Sequence, residues 1–207
     1  MPVGASGSLR LGGTVVSRLR IVLGELTLPV EHASFGSRFL GLGYATGALV
    51  EHRQIRVDEH VVGVQVCEPL FHSFGGRRAF QGPISTVRCF EDNSRVKEAV
   101  ESPGQGRILI VDGGGSRRHA LFGGNLGKAA VRNGWAGVII YGCVRDSAEL
   151  GGMKLALRAL GTMPLRSEKR GEGERDMPVR FAGVTFRPGD YVYADEDGIV
   201  VAREQLA

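Results

Sequence analysis

The chain of 207 residues lacks several features that would assign it at once to a class of protein. Its three cysteines, Cys67, Cys89 and Cys143, are odd in number and far apart, which excludes a C-x-x-C site and disfavours a disulfide framework. Cys143 is either a reactive thiol or an inert packed residue. No apolar run approaches the ~20 residues that a membrane-spanning helix needs. We therefore expect a cytoplasmic protein with no membrane partner.

Several well-known catalytic motifs are also missing. The sequence contains no H-E-x-x-H and no G-x-S-x-G, which argues against zinc proteases and α/β-hydrolases. Residues 113–115 form a run of three glycines, but neither G-x-x-x-x-G-K-[ST] nor G-x-G-x-x-G surrounds it. A nucleotide site is therefore not supported, and we expect these glycines to let the backbone approach a small ligand or a neighbouring chain.

The basic charge does not form a recognisable nucleic-acid surface. The net charge is +4 and the isoelectric point is near 9.2, but the basic residues are scattered among 22 acidic ones. The pairs Arg77–Arg78 and Arg117–Arg118 are too short to define a basic stripe. The composition therefore predicts a protein that does not bind nucleic acid directly.

The N-terminal part, residues 1–42, differs from the remainder. Its first 24 residues contain three arginines and no acidic residue, a composition that faintly resembles an organellar transit peptide. A flexible tail and a start codon placed too far upstream are alternative explanations. We treat residues 1–42 as an N-terminal extension and predict one domain over residues 43–207.

The most informative stretch of the sequence is residues 107–150. Two apolar runs, residues 108–111 and 137–142, are typical of buried strands. Between them, apolar residues recur with the spacing of one helix face over residues 126–131, and Gly134 is suited to end that helix. The pattern predicts a strand–helix–strand unit.

The topology of that unit predicts where a ligand binds. A right-handed crossover makes the two strands parallel, so the loop at Asp112 and the loop carrying Arg145 and Asp146 share one edge of the sheet. The helix start near residues 123–126 opens onto the same edge and suits an anion. Asp146 is a candidate ligand for Mg²⁺, although a surface ion pair or a helix cap explains it equally well. His119, between the loops, is either a titrating site residue or an exposed histidine.

The remaining pattern adds strands and one charged segment. Alternation over residues 84–90 predicts a half-buried strand, and Asn93 or Asp92 can cap the helix that follows. Residues 166–176 are charged and have no apolar anchor, which predicts a mobile loop or an arm that lies over a partner subunit. Three further strands are predicted at residues 180–186, 190–194 and 199–202. The fold class is therefore α/β, with a parallel strand–helix–strand core and added antiparallel strands.

Six short segments between residues 62 and 202 form a distinctive set of motifs. They are Phe74-Gly75-Gly76, residues 86–93, 111–116 and 134–137, Gly142-Cys143-Val144-Arg145-Asp146, and Ala194-Asp195-Glu196-Asp197-Gly198. Together they closely resemble the regulator of ribonuclease activity A family, which shares its fold with the class II 4-hydroxy-4-methyl-2-oxoglutarate aldolases. The resemblance implies a swivelling-domain-like (β/β/α) fold and a homotrimer with active sites at subunit boundaries.

The resemblance also implies residue roles in the aldolase branch. The loop that matches Gly123, Gly124, Asn125 and Leu126 holds the substrate through backbone groups. The arginine that matches Arg145 binds the substrate's carboxylate, and the aspartate that matches Asp146 holds a divalent metal cation, Mg²⁺ or Mn²⁺. The catalytic residues implied for this chain are therefore Arg145 and Asp146.

Members of the family with aldolase activity carry a D-x20-R-D pattern. Arg145 and Asp146 keep its second half, but Gly124 stands where the first aspartate is expected. Purely regulatory members tend to lack the aspartate at the position of Asp146, so its presence here favours an enzyme. No Schiff-base lysine is required, which leaves Lys128 and Lys154 as helix-surface or structural residues.

Two functions remain open from the sequence. The first is a divalent-metal-dependent lyase that acts on 2-oxo dicarboxylic acids and releases pyruvate, of the 4-hydroxy-4-methyl-2-oxoglutarate aldolase and oxaloacetate decarboxylase type. The alternative is a non-catalytic regulator that binds and inhibits a ribonuclease. The charged segment at residues 166–176 motivates the alternative, and the intact Arg145-Asp146 pair favours the enzyme.

Overall fold

The computed structural model describes residues 63–206 and the backbone of three short strands before them. Those three strands, β1 (Arg20–Leu23), β2 (Leu26–Thr27) and β3 (Arg53–Arg56), form an antiparallel sheet in the order β2-β1-β3. The origin of the extension predicted at residues 1–42, whether transit peptide, tail or upstream start, lies outside the described residues. The prediction of one domain over residues 43–207 is likewise untested.

Residues 63–206 form one large sheet of ten strands, a separate two-stranded sheet and three helices. The helices are α1 (Ser94–Glu101), α2 (Gly124–Arg132) and α3 (Ser147–Gly151). The strands are β4 (Val64–Val66), β5 (His72–Ser73), β6 (Phe80–Arg88), β7 (Ile108–Asp112), β8 (Ala120–Phe122), β9 (Gly137–Val144), β10 (Ala156–Thr162), β11 (Glu174–Arg175), β12 (Val179–Phe181), β13 (Val184–Phe186), β14 (Tyr191–Ala194) and β15 (Ile199–Ala202).

The large sheet is parallel in its centre and antiparallel at its sides. Its strand order is β4-β15-β14-β6-β7-β9-β10-β5, with β6, β7, β9 and β10 parallel to one another. Strands β4, β5, β14 and β15 pair antiparallel to their neighbours. The predicted α/β class with a parallel core and antiparallel additions is therefore confirmed.

Strand β7 shows why its apolar run is unbroken. Ile108, Leu109, Ile110 and Val111 are all fully buried. Leu109 and Val111 pack into the core beneath the helices, whereas Ile108 and Ile110 pack into a second core on the other face. A strand that is covered on both faces needs apolar residues at every position, because successive side chains point to opposite faces.

The second core is closed by a hairpin that the sequence analysis did not predict. Residues 180–186, expected as one strand, form β12 and β13, which turn at Ala182 and Gly183. Both turn residues have positive φ, 48° and 75°. Phe181 on this hairpin stacks on Tyr141 of β9, with 4.9 Å between the ring centroids. The prediction of a single strand was wrong because apolar alternation does not reveal a two-residue turn.

Strand β6 also differs from the prediction of a half-buried strand. Ser85 and Thr86 are buried as completely as their apolar neighbours. The Ser85 hydroxyl donates to Asp176, and the Thr86 hydroxyl donates to the carbonyl of Met177, at 3.1 and 2.6 Å. Polar residues in this strand are therefore compatible with full burial because their hydroxyls have partners.

The charged segment at residues 166–176 packs on its own chain. The fully buried carboxylate of Asp92 accepts hydrogen bonds from the backbone N–H groups of Ser94, Arg170 and Glu172, at 2.7, 2.6 and 3.3 Å. Burial raises the pKa of Asp92, but these hydrogen bonds outweigh it and hold the pKa below its ordinary value. The buried carboxylate of Asp92 thus joins the start of α1 to residues 166–176. The sequence had predicted a mobile loop or an arm over a partner subunit for these residues, whereas they pack on their own chain.

The cysteines are buried, and no helix within residues 63–206 is long and apolar enough to cross a membrane. Burial, together with the charge of Glu68, raises the pKa of Cys67 to about 12. Burial also raises the pKa of Cys89 to about 12, and it raises the pKa of Cys143 as well. Since the thiolate is the reactive form, these environments favour the inert alternative for Cys143.

We expect Asp92→Ala to lower the free energy of unfolding by about 2–3 kcal/mol, because buried N–H groups lose their acceptor. Since the pKa of Asp92 is depressed in the folded state, its contribution is complete above about pH 5 and is lost as the pH falls through that pKa. Urea unfolding at about pH 7 and about pH 3.5 should therefore show a smaller difference at the lower pH. Glu98→Ala, which breaks an exposed ion pair with Arg95, is the control and should change stability far less. A pH-independent difference would contradict the role given to the Asp92 carboxylate.

We expect the three thiols to resist modification in the native protein. A disulfide reagent at about pH 8 should label none of them within minutes and all three in urea, because each is buried and has a raised pKa. Rapid labelling that disappears in Cys143→Ala would show instead that Cys143 is the reactive thiol.

Candidate active site

Arg145 and Asp146 follow the last residue of β9, where the chain turns into α3. Asp146 adopts a left-handed conformation, with φ 58° and ψ 39°, which is uncommon for a residue other than glycine. Its carbonyl accepts the N–H of Leu150 at 3.0 Å, so the sharp turn leads directly into the helix. The conformation fixes Asp146 at the C-terminal edge of the parallel strands, and strained backbone of this kind clusters at functional sites.

The start of α2 is joined to this turn by two hydrogen bonds. The N–H of Arg145 donates to the carbonyl of Phe122 at 2.9 Å, and the N–H of Gly124 donates to Asp146 Oδ2 at 3.0 Å. A Cβ atom on Gly123 would lie 2.7 Å from the same carboxylate oxygen. A larger residue at position 123 would therefore displace the Asp146 carboxylate from its present place. The structure brings together the helix start, the guanidinium and the carboxylate that the sequence placed at one edge.

Glu149 is a site residue that the sequence analysis missed. A Cβ atom on Gly124 would overlap the Glu149 carboxylate, so this carboxylate lies where a side chain at position 124 would begin. A carboxylate from α3, one helical turn after Asp146, thus lies beside the position where the D-x20-R-D pattern would have its first aspartate. The sequence signal that could have pointed to Glu149 is the spacing R-D-x-x-E together with glycine at position 124.

Lys128 also lies at this site, although it was predicted to be a helix-surface or structural residue. Its Nζ is 2.6 Å from Glu149 Oε1. Lys128 follows Gly124 by one turn of α2, which places the two on the same helix face. The hydrogen bond with Glu149 holds the pKa of Lys128 above its ordinary value, so the pair consists of an ammonium and a carboxylate.

A cleft of about 350 Å³ opens beside these residues. Of the predicted substrate-binding residues, Gly123, Asn125, Leu126 and Arg145 line it, as does Asp146. Gly124 is buried below the surface and contributes its N–H to Asp146. The other lining residues are Asn93, Lys97, Glu101, Ala120, Phe122, Ala129, Arg132, Arg166, Ser167 and Lys169.

Positive charge exceeds negative charge in the wall of the cleft. Five lining residues are cationic and two are carboxylates. Lys97 lies 3.6 Å from Glu101, and Arg145 Nε lies 3.6 Å from Asp146 Oδ2. Three of the five cationic residues that line the cleft form no ion pair with any residue of the range 63–206, namely Arg132, Arg166 and Lys169. The cleft is therefore suited to an anionic ligand with more than one negative charge.

Two features predicted near this edge do not line the cleft. The glycines at residues 113–115 fold back on β9, because the N–H groups of Gly113 and Gly115 both donate to the carbonyl of Tyr141 at 3.1 Å. His119 Nδ1 lies 3.2 Å from Glu91 Oε2, away from Asp146. The loop at Asp112 does leave the same edge of the sheet as Arg145 and Asp146, because β7 and β9 are parallel neighbours, but it closes on β9 and does not line the cleft.

The acidic residues fit one class of metal ion. Within residues 63–206 there is no group of three or more His, Cys, Asp or Glu residues that could hold a metal. Asp146 and Glu149 are two carboxylates beside adjacent glycines, with no histidine or cysteine ligand. Zn²⁺ sites use three or four nitrogen and sulfur ligands, whereas Mg²⁺ needs one or two carboxylates with water and substrate. The donor set is therefore compatible with Mg²⁺ or Mn²⁺.

Curated relatives cover most of this domain. A protein of Alkalilimnicola ehrlichii with the provisional name 4-hydroxy-4-methyl-2-oxoglutarate aldolase is 57% identical over 149 residues, which are 72% of this chain and 92% of that protein. A protein of Laribacter hongkongensis with the same provisional name is 56% identical and covers 72% of this chain and 94% of that protein.

Solved structures give the same fold. One, named S-adenosylmethionine:2-dimethylmenaquinone methyltransferase, from Geobacillus kaustophilus, is 54% identical with a TM-score of 0.69, over 70% of this chain and 89% of that chain. The RNA-processing inhibitor RraA from Thermus thermophilis is 45% identical with a TM-score of 0.68, over 70% of this chain and 88% of that chain. The family model described as RraA-like, aldolase/RraA, matches residues 54–201. The chain therefore belongs to the RraA-like family of aldolases and RraA proteins.

Proposed function

We propose that the protein is a divalent-metal-dependent lyase that releases pyruvate from 2-oxo dicarboxylic acids. The reactions would be the cleavage of 4-hydroxy-4-methyl-2-oxoglutarate and the decarboxylation of oxaloacetate. The observation that carries the proposal is the meeting of Arg145 and Asp146 with the open start of α2 at one cleft, with the Glu149 carboxylate beside Gly124. The names of the aldolase relatives support the same reaction.

The chain's own groups can bind and orient the substrate. The side chain of Arg145 is 39% exposed and presents a planar fork of N–H donors to the cleft, the geometry that matches a carboxylate. The first N–H groups of an α-helix have no intrahelical acceptor, so those of Asn125 and Leu126 can donate to a second oxygen of the ligand. These fixed donors stabilise the negative charge that appears on the 2-oxo oxygen when the bond between C3 and C4 breaks.

Asp146 and Glu149 would hold the metal cation. The N–H of Gly124 donates a hydrogen bond to the Asp146 carboxylate and orients it, and metal-binding carboxylates are commonly oriented in this way. A bound cation would supply Lewis-acid stabilisation of the charge on the substrate's oxygens. The remaining protein groups position the substrate.

The charge of the cleft supports a dicarboxylate substrate. Arg132, Arg166 and Lys169 are positive groups without an acidic partner within residues 63–206, and they favour a ligand whose second carboxylate lies away from Arg145. The same excess of positive charge disfavours the sulfonium cation of S-adenosylmethionine, which the name of the Geobacillus relative would otherwise suggest. The homotrimer implied by the resemblance stays a prediction.

A second candidate function is the regulation of a ribonuclease. It is motivated by the Thermus relative, which is named as an RNA-processing inhibitor. The packing of residues 166–176 on their own chain removes the free arm that first suggested it. Because a masking surface needs no metal ligand, ribonuclease inhibition that is equal in wild type and Asp146→Ala, without pyruvate release, would favour this candidate.

We expect wild-type protein with Mg²⁺ or Mn²⁺ to release pyruvate from both substrates, measured with a coupled lactate dehydrogenase assay. Asp146→Ala should lower the rate by about 100-fold or more, because it removes a proposed metal ligand. Asp197→Ala is the matched control and should leave the rate unchanged. Asp197 lies in the turn after β14, at the opposite edge of the sheet. Equal rates in wild type and Asp146→Ala would exclude the proposed function.

We expect that the carboxylate of Glu149 can be replaced by a carboxylate introduced at position 124. Glu149→Ala should lower pyruvate release at least about tenfold, and adding Gly124→Asp should restore much of it, because the new carboxylate enters the space that Glu149 leaves. Gly124→Asn with Glu149→Ala is the control and should not restore activity, since it adds the same volume without charge. Rescue by Asn, or no loss in Glu149→Ala, would show that Glu149 is not the substitute acid.

A further inference from the structure

Lys128 and Glu149 form the closest ion pair of the site, with 2.6 Å between Nζ and Oε1. Glu149 is therefore already held by a cation, although the proposed function gives this carboxylate to a divalent metal. Asp146 differs, because a neutral backbone N–H holds it and the nearest cation, Arg145 Nε, is 3.6 Å away. The two proposed metal ligands are thus restrained to different degrees.

We propose that Lys128 competes with the divalent cation for Glu149 and thereby lowers the metal affinity of the site. The inference rests on the proposed function, because it assumes that Asp146 and Glu149 are the metal ligands. In the metal-free protein, Glu149 is paired with Lys128 above Gly124. A metal that binds Glu149 would have to share the carboxylate with this ammonium or displace it.

The geometry explains why the two cations exclude each other. Lys128 is on the face of α2 that carries Gly124, and Gly124 has no side chain to keep the Glu149 carboxylate away from the helix. A divalent ion bound to the same carboxylate would lie within a few ångströms of the ammonium, and like charges at that distance repel even in water. A divalent ion that binds Glu149 must therefore approach an ammonium that already holds one oxygen of the carboxylate.

The size of the effect follows from the exposure of the pair. The side chains of Lys128 and Glu149 are 62% and 42% exposed, so solvent screens their attraction. Exposed ion pairs contribute little to stability, and opening this one should weaken metal binding by about twofold to fivefold. Lys128 thus raises the metal concentration at which the site fills, without abolishing binding.

The test is the dissociation constant of Mn²⁺, measured at low ionic strength from the electron paramagnetic resonance signal of the free ion. We expect Lys128→Met to bind Mn²⁺ about twofold to fivefold more tightly than wild type. Lys128→Arg, which keeps a cation able to pair with Glu149, should stay close to wild type. Lys154→Met removes the same charge from an exposed lysine with no ion pair within residues 63–206, and it should also stay close to wild type. If Lys128→Met does not fold, Lys128→Gln serves in its place.

A double-mutant cycle separates contact from long-range charge. In a Glu149→Gln background, the change at Lys128 should no longer tighten binding, because the competition is for the Glu149 carboxylate. An unchanged or weaker affinity in Lys128→Met, or an equal gain in the Glu149→Gln background, would overturn the competition while leaving the proposed function intact. Failure of the wild type to bind Mn²⁺ at all would overturn both.

Discussion

The hydrogen bond from the N–H of Gly124 to Asp146 Oδ2 is the interaction on which the rest of the site depends. It joins the first residue of α2 to the second residue after β9, across 22 positions in the sequence. The second link, from Arg145 N–H to the carbonyl of Phe122, keeps β8 and the end of β9 in register. Since both links use backbone N–H groups, they fix where the chain segments lie without using the N–H donors of the Arg145 guanidinium. The parallel sheet provides the frame, because it brings both segments to one edge.

Two adjacent glycines provide the space in which the carboxylates lie. Gly123 allows Asp146 and Arg145 to approach the backbone, and Gly124 leaves room for Glu149. Gly124 stands where the resemblance to the family predicts an aspartate, and the Glu149 carboxylate lies beside that glycine. The absence of a side chain at position 124 is thus the reason why Glu149 can lie there.

The sequence was sufficient for features that depend on local pattern and topology. The buried run of β7, the amphipathic α2 and the right-handed crossover between parallel strands are enough to place Arg145, Asp146 and Gly123 at one edge. Contacts between distant residues are not encoded in local pattern. The position of Glu149 beside Gly124 and the packing of residues 166–176 on Asp92 are contacts of this kind. The loop after Asp112 leaves the predicted edge, but spacing does not encode that its glycines close on Tyr141.

The proposed function would place two opposite requirements on the charges around the cleft. A metal cation would need negative charge, whereas a dicarboxylate would need positive charge. Asp146 and Glu149 lie at the first residue of α2, and Arg132 is its last residue, about 12 Å further along the helix axis at 1.5 Å per residue. The helix dipole favours the same arrangement at its C-terminal end, where a cation is stabilised. Arg132 therefore adds positive charge at the end of α2 away from Asp146, where the second carboxylate of the proposed substrate would lie. Lys128 lies one turn after Gly124, so in the proposed site its charge would oppose a cation bound to Glu149.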